Sequence, residues 1–140
     1  MKRQIVSLVG VLGLLLVAAC ANAQSVNVKA NVPFDFMVGK STLPAGEYSI
    51  QSISTGASSV LAIRGGKTNQ MLASANNAEA LNPSANSRLV FHKYGDQYFL
   101  SQIWLQGERA GREFKITRRE AEMAKSVPTS EDVIVLAALR

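Results

Sequence analysis

The sequence is poor in the side chains that most often carry chemistry. Its 140 residues include one cysteine and one histidine, and only 6% are aromatic. One cysteine excludes an intramolecular disulfide framework, and one histidine excludes a metal site that needs two imidazoles. The longest apolar run, Ile5–Val17, is shorter than the roughly 20 residues that a membrane-spanning helix needs. The size of the chain fits one small domain.

The N-terminal residues predict export. A basic start, Met-Lys-Arg at 1–3, precedes the apolar run Ile5–Val17, and small residues follow it. This is the three-part organisation of a secretory signal. Ala-Asn-Ala at 21–23 fits the small-x-small rule of ordinary signal peptidase. We therefore predict a signal peptide over residues 1–23 and a single β domain over residues 24–140, located in the periplasm or outside the cell.

A second cleavage pattern overlaps the first. Val-Ala-Ala-Cys, ending at Cys20, resembles a bacterial lipobox, in which residues 1–19 are removed and Cys20 is lipidated. Valine stands where leucine is commoner, and the tether from Cys20 to the first predicted strand is short. The exported form without a lipid is therefore the main prediction, and an outer-membrane-anchored lipoprotein is the alternative.

The rest of the chain is dominated by strand patterns separated by turns. Ser25–Val32 alternates apolar and polar residues, which is typical of a strand with one wet face. Gly95-Asp96 separates two strand-like arms, Arg88–Tyr94 and Gln97–Leu105, and suits a two-residue hairpin turn. Residues 76–86 lack a clear period and are predicted to be a loop. Arg112–Ile116 alternates again and predicts another strand.

The C-terminal part predicts one helix and a final strand. Thr117 and Glu120 have the spacing of a capping box, which predicts a helix of about two turns ending near Lys125. Val133–Leu139 is apolar on both faces and predicts a strand covered on both sides. About eight strands and one short helix near the C-terminus favour an all-β, mainly antiparallel fold. A small sandwich and a small barrel both remain compatible with this pattern.

One segment carries a resemblance to a known group of proteins. Val32–Tyr48 contains Pro-Phe-x-Phe-x-Val-Gly followed by Leu-Pro-Ala-Gly-x-Tyr. It resembles the N-terminal signature of an uncharacterised family of small exported β proteins of environmental bacteria. The resemblance implies an exported, mainly β domain and supplies no catalytic residues to transfer.

The sequence offers no convincing catalytic set, no cofactor site and no metal site. His92 lies mid-strand and could serve a Ser-His-Asp arrangement, but no nucleophile elbow accompanies it. Gly-Lys-Thr at 66–68 lacks the first glycine of a phosphate-binding loop, since Leu61 stands there. Paired carboxylates of the glycosidase type are conceivable, but the acidic residues fall mostly in turns or on wet faces. We therefore predict that the protein is not an enzyme.

Two clusters are candidate binding sites. The first is a concentration of cations that could attract an anionic surface of the envelope: Arg109, Arg112, Lys115, Arg118 and Arg119. The second lies in the aromatic hairpin, where three side chains could line a cavity for an apolar or sugar ligand: Tyr98, Gln102 and Trp104. A solvated mixed-charge face and ordinary core packing are the plainer interpretations of these two clusters.

Together these features predict an exported protein with a structural or interaction role in the bacterial envelope. The alternative is a small β-barrel carrier of an apolar or sugar ligand. An anionic envelope surface or another envelope protein is the expected partner. Nucleic acid is not, because aromatic residues are not interleaved with the cations. No membrane-spanning segment is expected in the mature chain.

Overall fold

The computed structural model describes residues 26–54, 58–66, 69–127 and 130–139. The predicted signal peptide, both cleavage positions and Cys20 lie outside the described residues. Within these ranges ten strands and one helix follow one another: β1 Asn27–Val32, β2 Phe36–Val38, β3 Ser41–Leu43, β4 Gly46–Ser52, β5 Ser58–Gly65, β6 Asn69–Glu79, β7 Arg88–Tyr94, β8 Gln97–Trp104, β9 Ala110–Glu113, α1 Arg118–Ser126 and β10 Glu131–Leu139.

Eight of the strands close into a barrel, and every neighbouring pair in it is antiparallel. The order around the wall is β1, β4, β5, β6, β9, β8, β7, β10 and back to β1. The predicted all-β fold with one short C-terminal helix is confirmed, and the structure decides for the barrel over the sandwich. In the part of the chain that is described, no helix is long and apolar enough to span a membrane.

The barrel interior is filled mainly by apolar side chains. Strand alternation sends every second residue inward, and these residues form one buried cluster. Its bulkiest fully buried members come from five different strands: Phe36, Phe91, Ile50, Leu61, Ile63, Leu89 and Ile103. Phe34 and Tyr98 stack on each other against this cluster, with ring centroids 3.8 Å apart. Among the described residues, side chains this inaccessible to solvent leave little room beside them for a ligand.

Helix α1 lies outside the barrel, whereas a small hairpin extends the sheet beside β8 and turns Phe36, Val38 and Leu43 to the core. Strands β2 and β3 pair with each other, and β2 joins β8 in parallel through Met37 and Phe99. Met37, Tyr94 and Phe99 form a separate buried cluster. Met123 of α1 and Val127, which follows the helix, pack against this cluster. Helix α1 covers the outer face of β7 and β8 through this cluster.

Three expectations about elements are corrected. The predicted loop at 76–86 begins with strand, because β6 runs on to Glu79 by pairing with β9. The strand predicted over Arg112–Ile116 lies earlier, over Ala110–Glu113. Strand β10 is not covered on both sides by the described residues, because Ile134 and Leu136 on its outer face are more than half exposed.

Candidate functional site

The polar site of the molecule lies between the outer face of the barrel and helix α1. Thr117 caps the helix, and its hydroxyl accepts a hydrogen bond from the backbone N–H of Glu120 over 3.2 Å. This is half of the predicted capping box. The Glu120 carboxylate does not complete it by bonding back to the Thr117 backbone but points to the barrel, where it is 5% exposed.

Glu120 receives two hydrogen bonds from strand β7. Its Oε1 lies 2.6 Å from Nδ1 of His92 and 3.2 Å from the hydroxyl of Tyr94. A carboxylate oxygen only accepts, so Nδ1 and the tyrosine hydroxyl both donate. His92 and Tyr94 are two residues apart on a strand, so both side chains project from the outer face. One carboxylate thereby ties the helix to two positions of β7.

Ser101 extends this network to strand β8. Val90 pairs with Gln102 and Phe91 pairs with Leu100, so Ser101 is the extra residue of a β-bulge. Its hydroxyl lies 3.1 Å from Nε2 of His92. When Nδ1 carries the imidazole proton, Nε2 accepts and the serine hydroxyl donates.

Burial changes the acidity of one member of the network. The pKa of Tyr94 is raised above its ordinary value, first because burial penalises the phenolate. The negative charge of Glu120 and its hydrogen bond to the hydroxyl raise it further, and Asp132 adds a smaller repulsion. Tyr94 therefore keeps its proton, and its hydrogen bond to Glu120, beyond the pH at which a free tyrosine ionises.

The network has the connectivity of a serine hydrolase. A hydroxyl, an imidazole and a carboxylate in series can transfer the serine proton to histidine. Ser101 is only 5% exposed, however, and it lines neither of the surface grooves described below. Oδ1 of Asp132 also lies 3.8 Å from Nε2 of His92, the nitrogen that faces Ser101. Within the described residues, no group of three or more His, Cys, Asp or Glu side chains could hold a metal ion.

The five cations of the predicted anionic-surface patch do not share one environment. Arg109 lies 3.4 Å from Glu79, and Arg118 lies 3.2 Å from Glu122. Lys115 and Arg119 are exposed near the start of α1. The cluster on the surface is therefore smaller than the sequence suggested, and part of it is neutralised.

Arg112 is a correction, because it lies inside the barrel and not on the surface. It pairs across the ladder with Ile103, whose side chain is in the core, and it is 7% exposed. Its Nε donates to the hydroxyl of Ser59 over 2.8 Å, and its Nη1 donates to the carbonyl of Gly111 over 3.0 Å. Burial lowers the pKa of the guanidinium. A cation in this position serves packing and cannot meet an anionic surface.

The three residues predicted to line a cavity are not brought together inside the barrel. Tyr98 is packed against the interior cluster, where it stacks on Phe34. Gln102 and Trp104 are on the outer face, and the indole N–H donates to Oε1 of Gln102 over 3.0 Å. The Trp104 ring lies over Gly111, where an added Cβ would be 2.5 Å from Cε3.

Two surface grooves flank the hairpin of β2 and β3. One, of about 380 Å³, lies between residues 38–41 and 71–74, with Phe114 and Lys115 also lining it. The other, of about 680 Å³, lies between Met37 and the first turn of α1, including Arg118, Arg119 and Glu122. Both grooves share Gly39, Lys40 and Thr117, so they adjoin, and the two together are called the cleft.

Sequence reasoning identified His92 but not the residues that bond to it. Glu120 is 28 positions away along the chain, and no local pattern connects the two. The capping-box spacing did locate the glutamate at the first turn of a helix, yet only the packing of α1 on β7 shows where its carboxylate points. Ser101 gave no signal, because a bulge does not alter the residue types around it.

Comparison of the chain with known proteins identifies no relative. No family model matches the chain, and neither a curated protein nor a solved structure shows significant similarity to it. The candidate function therefore rests on the residues and geometry described above.

Proposed function

We propose that this chain is an exported, non-enzymatic β-barrel that acts as a structural or interaction module of the bacterial envelope. The filled interior of the barrel carries the proposal. Phe91, Leu89 and Ile103 are essentially inaccessible there, and Tyr98 and Phe34 stack on the same cluster. A carrier needs an enclosed cavity of several hundred cubic ångströms. A barrel of eight strands is just wide enough for its own side chains to fill.

The polar network supports the same proposal. Glu120, His92, Tyr94 and Ser101 satisfy one another between three elements, which fixes α1 against the barrel. Buried polar groups that are mutually hydrogen-bonded stabilise a unique arrangement of the elements they join. The network in this interpretation positions the helix and thereby shapes the cleft beside the β2–β3 hairpin.

Binding of the apolar fluorophore N-phenyl-1-naphthylamine separates the module from the carrier. We expect the native protein to give no saturable increase in fluorescence. Phe91→Ala and Leu100→Ala are matched controls, because each removes a buried side chain and leaves a cavity in the interior. We expect at least one of them to gain binding. Saturable one-to-one binding to the native protein, displaced by a fatty acid, would establish the carrier instead.

A second candidate, a serine hydrolase, is favoured by the Ser101–His92–Glu120 series alone. A fluorophosphonate probe tests it, because the probe labels only serines that a neighbouring base activates. The module predicts no labelling of the native protein. Labelling at Ser101, lost in His92→Ala, would establish a hydrolase, provided that circular dichroism shows the variant to be folded.

Export is tested on the natural chain in a bacterial host. Intact mass and N-terminal sequence of the protein from the cell envelope distinguish the two forms. A start at Gln24 supports the form without a lipid, and a diacylated Cys20 supports the anchored lipoprotein. A full-length chain recovered from the cytoplasm would contradict export itself.

A further inference from the structure

The barrel wall has an unpaired seam beside the β2–β3 hairpin. Strand β9 pairs with β6 only from Asn76 to Glu79. Before Asn76, β6 pairs with β5 on one side, and no other described strand lies on its second side. Strand β3 is likewise an edge, because β2 is its sole neighbour among the described strands. The groove of about 380 Å³ lies between these two edges.

The seam presents backbone hydrogen-bonding groups. In an antiparallel strand, alternate residues direct their N–H and C=O groups away from the paired neighbour. Over residues 70–74 these groups therefore point towards the groove. Leu72, on this stretch, lines the groove together with Met71 and is 59% exposed. An open edge with apolar side chains beside it is a template for an added strand.

Charge defines the chemistry of the partner. Among the described residues, the cleft is lined by four cations, Lys40, Lys115, Arg118 and Arg119, and by a single acid, Glu122, which pairs with Arg118. A second copy of this chain would bring the same cations of two molecules together. An acidic segment is complementary to them, and its side chains on one face can reach Lys40 and Lys115 while its backbone pairs with β6.

We infer that the seam binds an extended segment of another protein in which acidic and apolar residues alternate. This segment adds to the edge of β6 as an extra strand. This inference rests on the proposed interaction function and specifies its partner. Backbone pairing supplies the affinity, and the cations select glutamate and aspartate side chains. A sulfated polysaccharide would meet the same cations without pairing to β6, so the two ligands are distinguishable.

Fluorescence anisotropy with a labelled peptide of alternating glutamate and valine is the first test. We expect the peptide to bind, the same peptide with lysine for glutamate to bind at least tenfold more weakly, and a version N-methylated at alternate residues to lose binding. Lys40→Gln and Lys115→Gln should each weaken binding by about two- to fivefold. Lys125→Gln, which removes the same charge at the far end of α1, should leave it unchanged.

Backbone hydrogen exchange gives the second readout. Amides within residues 70–74 should exchange more slowly when the acidic peptide is bound. Binding without this protection, or equal binding of the N-methylated peptide, overturns strand addition, and so does the absence of any anisotropy change. Dextran sulfate that competes equally in every variant points to a polyanion surface instead. Each of these failures leaves the proposed module intact, because the fluorophore assay tests that proposal separately.

Discussion

Nδ1 of His92 lies 2.6 Å from Oε1 of Glu120, so the outer face of strand β7 is bonded directly to the first turn of α1. The helix has only nine residues, which is too short to be stable by itself in water. Its position depends on this bond, on the Tyr94 hydroxyl and on the apolar contacts of Met123. Oε1 of Glu120 is the acceptor that both hydrogen bonds share.

Glu120→Gln should destabilise the protein by about 1–3 kcal/mol, because hydrogen bonds to a buried charged group are lost or weakened. The free energy of unfolding in urea measures the effect. Glu122→Gln is the matched control on the same helix, since its partner Arg118 is almost fully exposed. An exposed pair of this kind contributes at most about 1 kcal/mol. Equal losses in the two variants would contradict the role given to Glu120.

Stability should fall at alkaline pH through Tyr94. The pKa of Tyr94 is raised in the folded protein, so the unfolded chain releases this proton first. The unfolded state then binds fewer protons, and the contribution is complete below about pH 10 and is lost as the pH rises towards the folded pKa. Tyr94→Phe should have a flatter dependence of unfolding free energy on pH in this range. A variant with the same slope as the native protein would rule out this assignment.

Gly111→Ala should destabilise the barrel by about 1–3 kcal/mol, because the new methyl group overpacks the site. It would lie 2.5 Å from Cε3 of Trp104 and 2.8 Å from the carbonyl oxygen of Ile103. The ring can move, but the strand backbone cannot move freely. We expect a red-shifted Trp104 emission together with a lower urea midpoint. Native-like emission and stability would show that the indole does not lie over Gly111.

Attraction to polyanions should depend on the exposed cations and not on Arg112. Lys115→Gln and Arg119→Gln should each elute from heparin at lower salt, because each exposed cation near an anionic surface contributes roughly 1 kcal/mol. Arg112→Met should elute with the native protein, since the guanidinium is buried against Ser59. A folded Arg112→Met variant that elutes earlier than Lys115→Gln would reverse this assignment.

The sequence predicted the elements whose signals are local. The hairpin at Gly95 has a positive φ of 60° at the glycine, as its two-residue turn requires, and Thr117 caps α1 as its spacing indicates. The alternation of β1 places Val28 and Ala30 on the same face of the strand, and in the structure both side chains lie in the core. Each of these features depends on contacts within a few residues, which is the information that a single sequence carries.

The features that the sequence did not predict depend on distant pairing. The strand content of residues 76–79 comes from β9, and Asn77 gives no apolar signal of its own. Arg112 has the residue type of a surface cation, but its register against Ile103 sends it inward. The network around His92 and the seam beside β6 likewise arise only when separate elements pack. Charge and alternation in the sequence cannot report these relationships.

The position of β10 in the wall has a consequence for how the protein folds. This strand lies between β7 and β1, and Val28 near the first strand's start pairs with Leu139. The ring cannot close until β10 is available to pair with both neighbours. Before that point β1 and β7 each have an unpaired edge, so the nascent chain remains an open, incomplete sheet. Native contacts between such distant segments slow folding, and molecular chaperones have that interval in which to bind the polypeptide.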